Sequence, residues 1–324
     1  PVQPEDETPS VIIAQSLVLF TPSGFRLSPK EKELLAKKQA GGVLLLAKNI
    51  ADALQTELLV NEILATATVS GSKPLVAVDQ EGGAVSRLPW VEHTPQGEIA
   101  TEVEALSVAR ARGEELRQLG IRLNLTPVVE KISSDQSYLA RTQRAFVSDS
   151  GTLAAAMVRG LSQAGIIPVA KHFPGGLGRV GEDPHQTLPK LTVSKQQLEE
   201  DLAPFRAVIA AQVPAIMVTH ILYPEIDEMP ASASQIFMTD LLRNQLGFTG
   251  LVVVDDLSMK AVTGTYEVGE YAVKSVNAGA DLLLVSDFID YETIRSALIA
   301  ATERGELKRD RLLEAQVRVE QFRH

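Results

Sequence analysis

The sequence predicts an α/β protein of one domain, a (β/α)8 barrel of the TIM type. Three observations lead there. Eight short apolar runs are continuous rather than alternating, as in parallel strands buried on both faces. They alternate with segments of helical periodicity over nearly all of the 324 residues. No fingerprint glycines follow the first run, which favours a closed barrel over a doubly wound open sheet, the competing reading of the same alternation.

The polar, proline-rich opening at 1–10 reads as a flexible tail, either a frayed start or the remnant of a removed signal, with the barrel and its C-terminal helices filling 11–324. Residues 11–20 are the first strand candidate, closed by the turn Pro22-Ser23-Gly24. Ser28, Pro29 and Glu31 then supply a cap, a proline at the first helical position and an acid in the first turn. Strand two is 42–46, followed by a helix at 50–66, and strand three, 74–78, ends at Asp79 before a helix at 101–119. Strand four is 120–125. A helix at 151–163 leads to strand five, 166–170, which breaks at Pro174-Gly175-Gly176 into a glycine-rich loop. The beat continues with a helix at 195–212 and strand six at 214–218, then a helix at 237–246 and strand seven at 250–254. A helix at 266–278 precedes strand eight, 280–285, and two helices, 291–303 and 309–323, end the pattern.

Composition narrows function. Apolar residues make up 45% and charged residues 22%, an ordinary globular balance. The formal charge of −10 argues against a nucleic-acid partner, because phosphate binding needs clustered Lys and Arg, and a small neutral or sugar-like substrate fits better. Without cysteine there are no disulfides, thiolate chemistry or Cys-based zinc sites. No apolar run reaches the roughly 18 residues of a membrane span.

In a barrel of this kind the site is built on the loops at the C-terminal ends of the strands. Ionisable residues gather there: Asp79 and Glu81 after strand three, Glu130 past strand four, Lys171 and His172 at strand five, His220 at strand six, Asp255 and Asp256 at strand seven. The loop from Ala170 to Leu188, read as a mobile segment, holds two of the five histidines, His172 and His185, with Arg179, Glu182 and Asp183 close by. Glu81 and Asp256 also suit capping or pairing with an arginine, and His220 suits a core position as well as a ligand. Asp255 directly ends an apolar strand and so projects into the barrel mouth.

One carboxylate facing a loop with Asp and His suits glycoside cleavage, which needs a nucleophile below the sugar ring and a proton donor beside the leaving oxygen. A histidine oriented by a carboxylate can donate near neutral pH, and Asp183, two residues before His185, can hold one ring nitrogen and leave the other for substrate. Metal binding by His172, His185 and His220 is the rival chemistry. Their spacing matches no ordinary zinc pattern, so no metal and no cofactor is expected. The glycine run lacks the lysine and Ser/Thr of a phosphate loop.

These residues lie in motifs that resemble glycoside hydrolase family 3, specifically its single-domain β-N-acetylglucosaminidase (β-hexosaminidase) branch, from about 11 to 285. Val78-Asp79-Gln80-Glu81-Gly82-Gly83 through Arg87 is similar to the family's D-Q-E-G-G-x-V-x-R, and Asn124-Leu125-Thr126-Pro127-Val128 to its N-x-x-P-V. Arg144-Ala145-Phe146 is similar to R-S-F, Lys171 to Gly175 matches K-H-F-P-G, and Asp183-Pro184-His185 matches D-x-H. Thr219-His220-Ile221, Pro230-Ala231 and Asp255-Asp256-Leu257-Ser258-Met259 follow its A-H-I, P-A and D-D-L-S-M steps.

The resemblance implies Asp255 as nucleophile and His185 as acid/base oriented by Asp183. Asp79, Arg87, Arg144, Lys171 and His172 would bind a terminal N-acetylglucosamine. The implied activity is retaining exo-hydrolysis of peptidoglycan-derived or chitin-type glycans, with a phosphorylase or a broader β-glycosidase on the same residues as alternatives. Relatives with a second domain can take their acid from it; this chain is expected to have no room for one. Its departures are Gly176-Leu177-Gly178 where a histidine is usual, a loop to D-x-H one residue longer, Glu130 for Asp and Ala84 for Arg. Neither of the last two is expected to touch the chemistry. A monomer is expected, in the bacterial cytoplasm, with an exported form as the alternative.

Overall fold

The computed structural model describes residues 8–70 and 73–323. Eight parallel strands close a barrel: β1 Val18–Phe20, β2 Gly42–Leu45, β3 Leu75–Val78, β4 Leu123–Asn124, β5 Ile167–Phe173, β6 Ala215–Val218, β7 Leu251–Val254 and β8 Leu282–Val285. Each strand pairs with its neighbours in sequence, and Val18 opposite Leu283 joins β1 to β8 and shuts the ring. Every residue of all eight strands is buried, which is why the apolar runs do not alternate. Each Val, Leu or Ile so covered contributes about 1.5–3 kcal/mol.

Helices follow the strands in the expected order. Pro29–Ala36 opens with a reciprocal cap, the Ser28 hydroxyl accepting from Glu31 N–H and the Glu31 carboxylate from Ser28 N–H. Ala53–Ser70, Glu102–Gln118, Ser150–Gln163, Lys195–Ala210, Val268–Ala278, Phe288–Glu303 and Arg309–Glu320 continue the series, and Ile236–Gln245 is wound as a π-helix.

Three differences from the sequence reading have physical causes. The first apolar run divides: Pro9–Gln15 is a helix and only Val18–Phe20 is strand. Pro9 takes the first helical turn, and Val11, Ile13 and Ala14 are buried as the helix packs against Phe288–Glu303 and Arg309–Glu320. Of the expected tail, residues 1–7 lie outside the described residues, and Pro9 and Ser10 belong to this helix. Second, β5 runs on to Phe173, taking Lys171 and His172 into the barrel wall with a register shift against β6. Third, short elements stand in the loops above the barrel: a hairpin of Gln80–Gly82 with Val85–Ser86, and helices Tyr138–Thr142 and Lys260–Thr263. All are too short to leave a period in the sequence.

Candidate active site

The loop after β3 is locked before any site residue is placed. Asn124 on β4 donates to Gln80 O and accepts from Gln80 N–H at 3.1 and 3.0 Å, which accounts for the asparagine of that motif. The Gln80 amide bonds Leu88 in both directions, and buried Arg112 donates to Glu81 O at 2.7 Å and Thr94 O at 2.9 Å. Gly82 has φ +98°, and a Cβ there would overlap Thr94 O. With this backbone held, Asp79 and Glu81 face the barrel mouth.

Glu81 is the centre of a buried ion network. Its two oxygens accept from Arg144 Nε and a terminal guanidinium nitrogen at 2.8 and 2.7 Å, and Lys171 Nζ lies 2.6 Å from one of them. Lys171 also donates to Asp79 at 2.9 Å, and Arg87 stands 3.8 Å from the other Asp79 oxygen. Burial alone would raise the Glu81 pKa, but Arg144 and Lys171 outweigh it and hold the carboxyl well below the usual range. Burial would likewise lower Lys171 and Arg144; Asp79 with Glu81 raises the first and Glu81 the second. Both cations therefore keep their charge in a nearly dry wall.

His172 and Glu130 form a second buried pair. The ring Nδ1 lies 2.8 Å from Glu130 Oε1, which also accepts His172 N–H at 3.1 Å, while Oε2 accepts Leu177 N–H at 2.8 Å. Burial pushes Glu130 up to about 8 in spite of those N–H donors. Burial, with Arg144 and Lys171 nearby, pushes His172 well below its ordinary value. Glu130 is not in the cavity wall; it acts on the site through His172, which is. Its extra methylene, relative to Asp, lets one carboxylate span a strand and a loop.

Asp255 follows β7 directly, its N–H on Val218 O and its Oδ1 accepting Asp256 N–H at 2.8 Å. Asp256, also in the cavity wall, ties the loops after β7 and β8 together: its Oδ1 accepts Ser258 N–H and Ser286 N–H at 3.0 and 2.9 Å. His220 is a core histidine, bonded to the Ser232 hydroxyl at 2.6 Å and to Asp256 O at 3.2 Å, so it does not join His172 and His185.

The loop after β5 is buried over 174–178 and opens toward its tip. Gly176 has φ +111°, and a Cβ would come within 2.6 Å of the Tyr223 hydroxyl, so this position has no room for a side chain. Arg179 is clamped on Asp201 of helix Lys195–Ala210 at 2.8 Å. At the tip, Asp183 accepts from both His185 N–H at 2.9 Å and His185 Nδ1 at 2.8 Å. A carboxylate only accepts, so Nδ1 carries the proton and Nε2 is the nitrogen left over. Pro184 O accepts Ala261 N–H at 3.0 Å, which docks the tip on the loop after β7.

These groups enclose one cavity of about 400 Å³. Asp79, Arg87, Arg144, Lys171, His172, His185 and Asp255 all line it; Asp183 stands behind His185. Leu44, Leu46, Met259 and Leu284 make an apolar wall. The sequence reading missed Tyr138, whose hydroxyl lies 3.3 Å from Arg144 and whose ring lies under that guanidinium, and Leu177, which fills the wall beside His172. Neither carries a charge or a motif that would mark it.

Known proteins resemble this chain in sequence and in fold. The description "Glycosyl hydrolase family 3 N terminal domain" matches residues 12–322. A "Beta-hexosaminidase" of Neisseria meningitidis serogroup C is 34% identical over 292 residues, covering 84% of this chain and 78% of that protein. A glycoside hydrolase family 3 beta-N-acetylglucosaminidase from Paenibacillus sp. superposes with a TM-score of 0.91 at 33% identity, over 98% of this chain but 62% of that one. The Beta-N-acetylhexosaminidase of Beutenbergia cavernae gives 0.87 at 28% identity, over 97% of this chain and 98% of that one. Matched over residues 12–322, nearly the whole described chain, the chain belongs to glycosyl hydrolase family 3.

Proposed function

We propose that this chain is a retaining exo-β-N-acetylhexosaminidase that removes terminal N-acetylglucosamine from peptidoglycan-derived or chitin-type glycans. The observation that carries the reading is the presence of Asp255 and His185 in the wall of one cavity, the histidine backed by Asp183. The relatives' names, beta-hexosaminidase and beta-N-acetylglucosaminidase, support a 2-acetamido sugar. Lys171, Arg144, Arg87, Asp79 and His172 supply donors and acceptors for its hydroxyls, and the leucine and methionine wall suits an acetamido methyl.

In the first step the Asp255 Oδ2, free of the bond that holds Oδ1, attacks the anomeric carbon. The bond to the leaving oxygen breaks and that oxygen takes the proton of His185 Nε2. In the second, Nε2 removes a proton from water as the water oxygen displaces Asp255. Two inversions give net retention. Because Asp183 occupies Nδ1, the same nitrogen serves both steps.

Asp255→Asn tests the nucleophile on an aryl β-N-acetylglucosaminide: loss of turnover is expected, and near-normal rates would remove Asp255 from this role. The same aryl glycosides without the 2-acetamido group should be poor substrates; equal turnover would point to a broader β-glycosidase. Added phosphate should leave the free sugar as product, and formation of the sugar 1-phosphate would instead identify a phosphorylase.

A further inference from the structure

The Glu130–His172 contact requires a proton. At 2.8 Å the carboxylate oxygen and the ring nitrogen cannot both present lone pairs. The pair therefore has two working states. With two protons, one lies between Oε1 and Nδ1 and the other sits on Nε2, whichever partner formally owns the shared one. With one proton, it stays between Oε1 and Nδ1, and Nε2 is bare. His172 lines the cavity, so Nε2 is the ring nitrogen a ligand can meet.

We propose that Glu130 is a positioning residue whose protonation sets whether His172 offers the sugar a donor or an acceptor at Nε2, while its second oxygen holds the base of the loop that carries Asp183 and His185. The role in sugar binding rests on the function proposed above; the proton arrangement does not.

The surroundings favour a switch in one step. Facing His172 are Lys171 from β5, Arg144 from the loop beyond β4, Glu81 from the β3 loop and His185 from the loop tip, and the two cations oppose a further positive charge on the ring. Facing Glu130 are Arg144, Asp201 on helix Lys195–Ala210, itself paired to Arg179, and the Tyr223 hydroxyl, which burial keeps protonated. Burial places the loss of the proton near pH 8, and it belongs to the pair rather than to either residue. Oε2 contributes geometry instead: its bond to Leu177 N–H links the sugar-binding histidine to the segment that leads to the acid.

Ring-nitrogen shifts of protein labelled with ¹⁵N-histidine, free of sugar, test the switch. The His172 signals are those lost in His172→Gln. Between pH 6 and 10 the Nε2 signal should pass from the protonated to the unprotonated range with a midpoint near 8, and Glu130→Gln should abolish the transition. The Kd of N-acetylglucosamine should shift roughly fivefold over the same interval in the native protein, one hydrogen bond's worth, and stay flat in Glu130→Gln. An Nε2 signal in one state throughout, or a transition unchanged in Glu130→Gln, overturns the proposal; should that variant not fold, the native titration alone decides. A protein that switches as described yet cleaves no glycoside would overturn the function proposed above and leave the proton arrangement standing.

Discussion

Replacing Glu81 by glutamine isolates the electrostatic core of the site, because the new side chain has nearly the same shape and lacks only the charge. Two cations lean on this carboxylate, Arg144 through two bonds of 2.7 and 2.8 Å and Lys171 at 2.6 Å, and the group is 1% exposed. Removing one partner of a buried pair costs about 3–5 kcal/mol. The lower end applies, since Lys171 keeps Asp79 and Arg144 keeps the Tyr138 hydroxyl. At roughly 1.5 °C per kcal/mol for a chain of 324 residues, the melting midpoint of Glu81→Gln should fall by about 4–5 °C at pH 7. The pH dependence has a definite sign. A carboxyl whose folded pKa is depressed contributes fully above its unfolded value, about 4.3, and loses that contribution as the pH falls toward the folded value. The gap between native and variant midpoints should thus be constant from pH 8 to about 5 and narrow below about 4. Calorimetry at several pH values reads both quantities. Midpoints within a degree of each other at pH 7, or a gap that widens in acid, would refute the network as drawn.

Two further substitutions probe the loop after β5. His185→Ala should slow glycosides with poor leaving groups by about 10²–10⁴-fold and activated aryl glycosides far less, because only the former need a proton; equal losses in steady-state rates would end the acid role. Gly176→Ala forces an L side chain into φ +111° and toward the Tyr223 hydroxyl, and should cost about 1–3 kcal/mol in urea unfolding; an unchanged midpoint would show that the loop base is less tightly packed than the structure has it.

The barrel was legible because a strand buried on both faces must be apolar at every position, and eight such runs have few other homes. Its first boundary was not, since Pro9–Gln15 also buries most of its residues and reads like strand until the end of β1 is seen. The end of β5 was hidden for the opposite reason: Lys171 and His172 are polar, yet their partners Asp79, Glu81 and Glu130 let them stay in the wall. Site residues that directly follow a strand, such as Asp79 and Asp255, could be placed by counting. Tyr138 and Leu177 could not, because their positions follow from how two loops pack and no periodicity encodes that; Glu130 could be placed past strand four, but not its bonds to His172 and Leu177. Arg112 shows the same limit on a helix, where a charge usually faces water; here it is fully buried and bonds loop carbonyls.

The strand-five loop divides into a buried base and an open tip that carries His185. Its first part is fixed by Glu130 through Leu177 N–H, by Tyr223 against Gly175 and Gly176, and by the Arg179–Asp201 pair. The tip is held by much less: His185 is 58% exposed on its side chain, and the bond from Ala261 N–H to Pro184 O is its tie to the β7 loop. One backbone hydrogen bond is worth about 1 kcal/mol net, so apart from the burial of Pro184 little holds the tip to the β7 loop. Asp183 travels with His185 because both of its contacts to that residue are local, and the dyad therefore keeps its tautomer wherever the tip goes. On the function proposed above, the charged wall and the proton donor are thus held by separate sets of bonds.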